Sequence, residues 1–163
     1  MLALLVGVGE VQAQTTRSGD ALVRTRTNPV TGEKSRTVFL TSKDGVMGLY
    51  VFCVDTRTPN VSLFLTDGTF RDWGYLTGAR IPVTWQADGR RSVSENWEVI
   101  GRDDDLRRYG QLGLVTAELF LTQRQFTAKL FDQTYVFPAR GLNAAMRQLP
   151  CVVPFLKNTG YLK

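Results

Sequence analysis

The chain contains no histidine. Ser-His-Asp and Cys-His nucleophile systems, and most zinc sites, need an imidazole, so those chemistries are excluded. Cys53 and Cys151 are the two cysteines and lie far apart, so they make no CxxC metal or redox motif. Neither a phosphate-binding Walker loop nor a dinucleotide fingerprint is present, and no cofactor is expected. Carboxylates remain. Asp103, Asp104 and Asp105 are contiguous and could bind calcium or serve as acids, but they lack the alternating oxygen ligands of a calcium loop. Arg102, Arg107 and Arg108 surround them, which favours local ion pairing in a solvated loop. A glycosidase needs two facing carboxylates in a cleft, and no spacing here signals such a pair. Binding chemistry is the better prospect. Phe70, Trp73 and Tyr75 cluster with Arg71 in TFRDWGYLTG, a stretch rich in turn residues. Aromatics near a loop tip can anchor a protein partner or stack on sugars, although the same residues can simply cap a β core. Trp85 and Trp97 lie in strand-like runs and read as core.

Strands must position that cluster. The run GLYVFCVD, residues 48–55, sets Leu49, Val51 and Cys53 against Tyr50, Phe52 and Val54. Both faces are apolar, which predicts a central strand covered on both sides. Before it, ALVRTRT (21–27) alternates with one wetted face, and SRTVFLTS (35–42) sets Val38 and Leu40 opposite Thr37, Phe39 and Thr41. After it come VSLFLT (61–66), a strand over 69–73, RIPVTWQ (80–86) and SVSENWEVI (92–100). Pro82 argues that its strand sits at an edge or starts late. Asp44-Gly45, Asp67-Gly68 and Asp88-Gly89 each separate two such runs, the strongest short hairpin signal. They predict three hairpins in an antiparallel meander. Residues 102–109 read as a charged loop, and 113–123 fit a short helix or a strand. Residues 126–131 and 134–138 form a further hairpin around Asp132-Gln133. In GLNAAMRQL, Leu142, Ala145, Met146 and Leu149 make an amphipathic helical stripe that Pro150 ends. Residues 152–163 carry no clear element.

The fold expected is therefore mainly β (α+β): an antiparallel, sandwich-like meander with a C-terminal hairpin and helix. At 163 residues, with 43% hydrophobic and 21% charged, the chain suits one domain with a real core. The N-terminus differs from the rest. MLALLVGVG is apolar, and Val11-Gln12-Ala13 precedes polar residues, as at a signal-peptidase site. The boundaries are then a signal peptide at 1–13, cleaved after Ala13, a flexible leader at 14–20, the β-rich domain at 21–151 and a tail at 152–163. No basic n-region precedes the apolar run, so the natural start could lie upstream. No mature stretch is apolar and long enough to span a membrane.

Export places the two cysteines where thiols oxidise, so a single Cys53–Cys151 disulfide is expected, stapling the C-terminal helix to the central strand. Two buried free thiols are the alternative. The charge of +5 rises to +6 once Glu10 leaves with the signal peptide. That permits weak contact with anionic surfaces. The bases are dispersed, Arg24, Arg26, Lys34, Arg36 and Arg80 among them, so no specific nucleic-acid partner is expected.

Several short motifs, taken together, resemble the VasI-like accessory proteins associated with type VI secretion. They begin with NPVTGEK at 28–34 and the strand at 36–41. The Cys-bearing strand at 50–54, the strand and aromatic turn at 62–70, and the segment 114–122 follow. The hairpin at 126–137 and the closing helix at 141–149 with Cys151 complete the set. The likeness covers residues 21–151. The charged run 102–111 and the extension 152–163 depart from it. It implies a small exported β domain with a disulfide. The function expected is non-catalytic: a cell-envelope or secretion-associated protein acting on protein partners, in the periplasm, envelope or extracellular space. A periplasmic inhibitor or ligand-binding domain is the alternative, and a carboxylate-dependent hydrolase using Asp103 and Asp105 the weaker one.

Overall fold

Alternation at a period of two places Ala21 and Val23 of strand β2 (Ala21–Thr27) on one face, and both are fully buried. The same logic buries Val38 and Leu40 of β3 (Lys34–Thr41), Leu49 and Val51 of β4 (Met47–Cys53), and Val61 and Leu63 of β5 (Pro59–Leu65). It extends to Ile81, Val83 and Trp85 of β6 (Arg80–Ala87) and to Trp97 and Val99 of β7 (Val93–Ile100). These side chains form one core cluster. The structure is a computed structural model that describes residues 13–101, 105–108 and 113–163.

Among the described residues all strand pairings are antiparallel and join ten strands into one sheet, ordered β1-β2-β3-β4-β5-β8-β7-β6-β9-β10. The remaining strands are β1 (Ala13–Ser18), β8 (Asp105–Arg108), β9 (Gln125–Leu130) and β10 (Gln133–Pro138). The fold class expected from the sequence is thus the one found, with a single continuous sheet providing both halves of the core. The sheet curls enough for β10 to reach its first half: Lys43 N–H, just past β3, donates to the Val136 carbonyl of β10 at 2.8 Å.

Among the described residues three α-helices close the fold: α1 (Gly113–Leu121), α2 (Leu142–Met146) and α3 (Val152–Asn158). The stripe Leu142, Ala145, Met146 and Leu149 is buried, as its spacing predicts, though the regular helix stops at Met146. The stretch read as a tail carries α3, which buries Val152 and Leu156. Pro154 sits in its first turn, where the missing N–H has no helical acceptor to lose. Cys53 and Cys151 form the disulfide, with Cα atoms 5.8 Å apart, and it ties the end of β4 to the start of α3.

Several local readings change. Residues 14–20, expected to be a flexible leader, hold most of β1, which pairs with β2 along its length. Its side chains are polar and exposed, so no hydrophobic pattern marks it, and backbone hydrogen bonds define it as a blunt edge strand. Cleavage after Ala13 would leave Gln14 to Ser18 to make those pairs. The remainder of the expected signal peptide, 1–12, lies outside the described residues. The charged stretch at 102–109 contains β8, inserted between β5 and β7, where Leu106 points into the core. Two of the three Asp-Gly pairs turn hairpins. Asp67-Gly68 leads instead into a 3-10 helix (Phe70–Trp73), because β5 takes β8 as its second neighbour. Pro82 lies inside the sheet, but pairing of β6 with β9 begins at Val83, so the proline deprives that ladder of nothing.

Two turns fix the assembly. In the β6–β7 hairpin, Asp88 and Gly89 both have positive φ, 49° and 73°. The Asp88 carboxylate accepts backbone N–H bonds from Gln123, Arg124 and Gln125 at 2.8, 2.9 and 3.0 Å, pinning the exit of α1. Burial opposes ionisation, yet the three amides hold this carboxyl below the ordinary range. Its stabilising contribution is therefore complete above about pH 4 and fades as pH falls through its lowered value. Asp88→Ala should cost about 1–3 kcal/mol at neutral pH. Thermal melts should show that gap narrowing below about pH 4.

At the other turn, Gly19 and Gly141 bring two backbones together, joined by Asp20 N–H to the Arg140 carbonyl at 2.7 Å and by the Asp20–Arg140 ion pair. A Cβ on Gly19, at φ +62°, would lie 2.2 Å from the Arg140 carbonyl oxygen. Gly19→Ala should therefore destabilise by about 2 kcal/mol, read by denaturant titration.

Candidate functional site

The 3-10 helix after β5 is set by its own cap. Asp72 accepts from the Thr69 N–H at 2.6 Å and from its hydroxyl at 3.2 Å, and Gly74 ends the turn at φ +84°. This splits the expected surface cluster. Phe70 is fully buried and belongs to the core. Arg71 is exposed, Trp73 is 37% exposed, and Tyr75 is half-buried. Phe70 meets Trp73 edge to face, with centroids 5.7 Å apart, so the buried ring props the exposed one.

A residue that the sequence did not single out completes the patch. Phe131 stacks on Tyr75 at 5.2 Å and meets Trp73 edge to face at 5.9 Å. It is 39% exposed, and Leu76 is 58% exposed. Leu130 pairs with Gln133, so the β9–β10 loop is Phe131-Asp132, one residue earlier than the sequence suggested. Phe131 takes φ +54° there. Gly19 fills the equivalent first position of the two-residue β1–β2 loop. A bulky residue at positive φ is strained, by about 1–3 kcal/mol, and such strain gathers at functional sites. Phe-Asp is not an Asp-Gly pair, so the sequence carries no strong hairpin signal at this position.

A second surface lies on the outer face of the sheet. Strand β4 is central, as expected, but it is covered on one side only. Tyr50 and Phe52 are half-exposed, and Phe39 and Phe64 flank them across the strands. Centroid distances are 5.4 Å for Tyr50–Phe52, 6.0 Å for Phe39–Tyr50 and 5.5 Å for Tyr50–Phe64. Gly48 makes room for this layer: a Cβ there would sit 2.0 Å from the Phe64 ring. The Arg24 guanidinium lies 5.6 Å from the Phe39 centroid, and that of Arg107 lies 5.6 Å from the Phe52 centroid.

Catalytic chemistry has less to work with. Asp103 and Asp104 lie outside the described residues. Asp105 accepts a hydrogen bond from the Tyr50 hydroxyl on the outer face. Burial, with this carboxylate beside it, pushes the phenol well above its ordinary range, so Tyr50 stays protonated and donates. Trp85 and Trp97 are core, as expected, and both indole N–H groups donate to the Glu95 carboxylate, at 2.7 and 3.2 Å. Among the described residues no group of three or more Cys, Asp or Glu is placed to hold a metal ion. No described helix is long and apolar enough to cross a membrane.

No protein-family model and no curated protein matches the chain. The likeness to VasI-like proteins therefore rests on its short motifs alone. Among solved structures, the crystal structure of invasion associated protein B from Bartonella henselae is similar, with a TM-score of 0.55 at 11% sequence identity. The match covers 89% of this chain and 98% of that one. At that identity the likeness concerns the fold.

Proposed function

We propose that this is a non-catalytic, exported envelope protein that holds a protein partner on the tip formed by Trp73, Tyr75, Leu76 and Phe131. The observation that carries the reading is Phe131, a large ring kept exposed at positive φ where glycine would be free of strain. Trp and Tyr are the residues that dominate binding energy at interfaces, and rings propped by a buried neighbour lose little entropy on docking. The fold neighbour's name, invasion associated protein, agrees with work at a cell surface. A disulfide agrees with an oxidising compartment. Residues 1–13 would direct export, and mass spectrometry of the exported protein should find Gln14 first; a native chain that begins at Met1 would count against it. A place beside a type VI secretion machine draws on the motif resemblance only.

Pull-down from the native envelope should recover a protein partner with the wild-type chain. Trp73→Ala should lower that recovery at least about tenfold while the fold is kept. Equal recovery by Trp73→Ala, or no partner with either chain, removes the proposal.

A further inference from the structure

The outer face of β2 to β5 is unlike an ordinary solvated sheet face, which would carry polar residues. Phe39, Tyr50, Phe52 and Phe64 cover it as one half-exposed aromatic shelf. Cations border the shelf. Arg24 and Arg26 stand exposed on β2, and among the described residues neither pairs with a carboxylate. Among the described residues the buried Arg107 Nε–H has no acceptor, an uncommon condition in a folded protein. Between Arg24, Arg26, Thr37, Phe39, Tyr50 and Phe52 lies a shallow cavity of about 280 Å³. It shares Arg26 and Ser35 with a larger hollow of about 910 Å³ at the ends of β2, β3 and β4, where Lys34 and Arg36 stand with the carboxylates of Glu33 and Asp55 and the Arg36 guanidinium donates to the Gln148 carbonyl at 3.0 Å. The smaller cavity sets Arg24 and Arg26 against the rings of Phe39, Tyr50 and Phe52 with no carboxylate in its lining, and it suits an anion with flat apolar faces.

We infer that this outer face binds an anionic polysaccharide strand. The C–H face of a sugar ring is weakly positive and suits the negative face of an aromatic ring. Arginine matches carboxylate or sulfate groups with two parallel N–H donors. Ser35 and Thr37, set between the arginines and the rings, can exchange hydrogen bonds with sugar hydroxyls. Single-stranded nucleic acid shares the charge but fits the shelf less well. Such strands stack successive bases on separate aromatic platforms. Here Tyr50 and Phe52 stack on each other at an interplanar angle of 28°, and Phe39 and Tyr50 are tilted by 39°, so the rings form one cluster and not a series of separate platforms. This site is separate from the Trp73–Phe131 tip, and the inference does not depend on a protein partner there.

Titration calorimetry with the full chain provides the test, using a heparin oligosaccharide as the sulfated probe and an oligogalacturonate as the carboxylated one. Binding of either probe, weakening with salt, is expected. Phe52→Ala removes no charge and should still weaken it about tenfold. Phe39→Ser should act likewise, and it serves if Phe52→Ala melts early. An Arg24→Ser, Arg26→Ser pair should also weaken it about tenfold, whereas an Arg124→Ser, Lys129→Ser pair, removing equal charge elsewhere, should change it about twofold or less. The inference is overturned by any of three results: neither probe binds at low salt, the folded ring variants bind as wild type does, or an oligothymidylate binds more tightly than both probes at matched salt.

Discussion

Removing the disulfide with Cys53→Ala and Cys151→Ala should lower stability by about 3–5 kcal/mol. The two cysteines are 98 residues apart, and in the chain-entropy model closing a loop of about that length removes roughly 4–5 kcal/mol of unfolded-state freedom. For a domain of this size that corresponds to a fall of about 10 °C or more in Tm. The loss should also be local before it is global. The bond ties the start of α3 to the end of β4, and α2 and α3 have only five and seven residues. Helices so short are marginal without tertiary support. Hydrogen exchange of the reduced protein should therefore rise first over residues 141–163. An unchanged Tm in the double alanine variant would show that burial of Leu142, Met146, Val152 and Leu156 suffices without the crosslink.

The strands that alternate cleanly were legible because one face of each meets the core and the other meets water. Residues 21–27 and 35–42 are of this kind, and their core faces are marked by Val23, Val38 and Leu40. The pairing of Cys53 with Cys151 was legible from export signals and count. What the sequence hid is non-local. Strand β1 has no apolar pattern, since it contributes backbone hydrogen bonds at an edge. Strand β8 pairs with β5 and β7, and a charged stretch of four residues announces neither neighbour. At the candidate sites, the alternation of β4 is legible in the sequence, and the exposure of one of its faces is not. Tyr50 and Phe52 look like buried residues by type, and only the fold shows that no layer covers them. Phe131 escaped because its importance lies in a backbone angle and in rings from a loop some sixty residues earlier.

Replacing Phe131 with glycine should separate stability from binding. Glycine adopts positive φ freely, so Phe131→Gly relieves strain of about 1–3 kcal/mol. It also loses the contacts with Tyr75 and Trp73, about 0.5–1.5 kcal/mol for each aromatic pair. The two effects nearly offset, and the melt should stay within about 1 kcal/mol of wild type. Phe126, buried in the same hairpin, should instead cost about 3–5 kcal/mol when truncated to alanine. Partner affinity of Phe131→Gly should nevertheless fall by about 2–4 kcal/mol, as at an interface hot spot. A Phe131→Gly protein that unfolds early would make the ring a structural element of the turn.

Site-specific photo-crosslinking in the native envelope tests most directly whether the aromatic tip is the surface that meets a partner. One crosslinker replaces Leu76, beside the Trp73–Phe131 cluster, and another replaces Val30, which is 90% exposed in the β2–β3 turn. The tip position should give one dominant protein adduct that disappears when Phe131→Gly is added, and the Val30 position should give none of it. The same adduct at similar yield from both positions, or an adduct at the tip that survives Phe131→Gly, would contradict the tip's role.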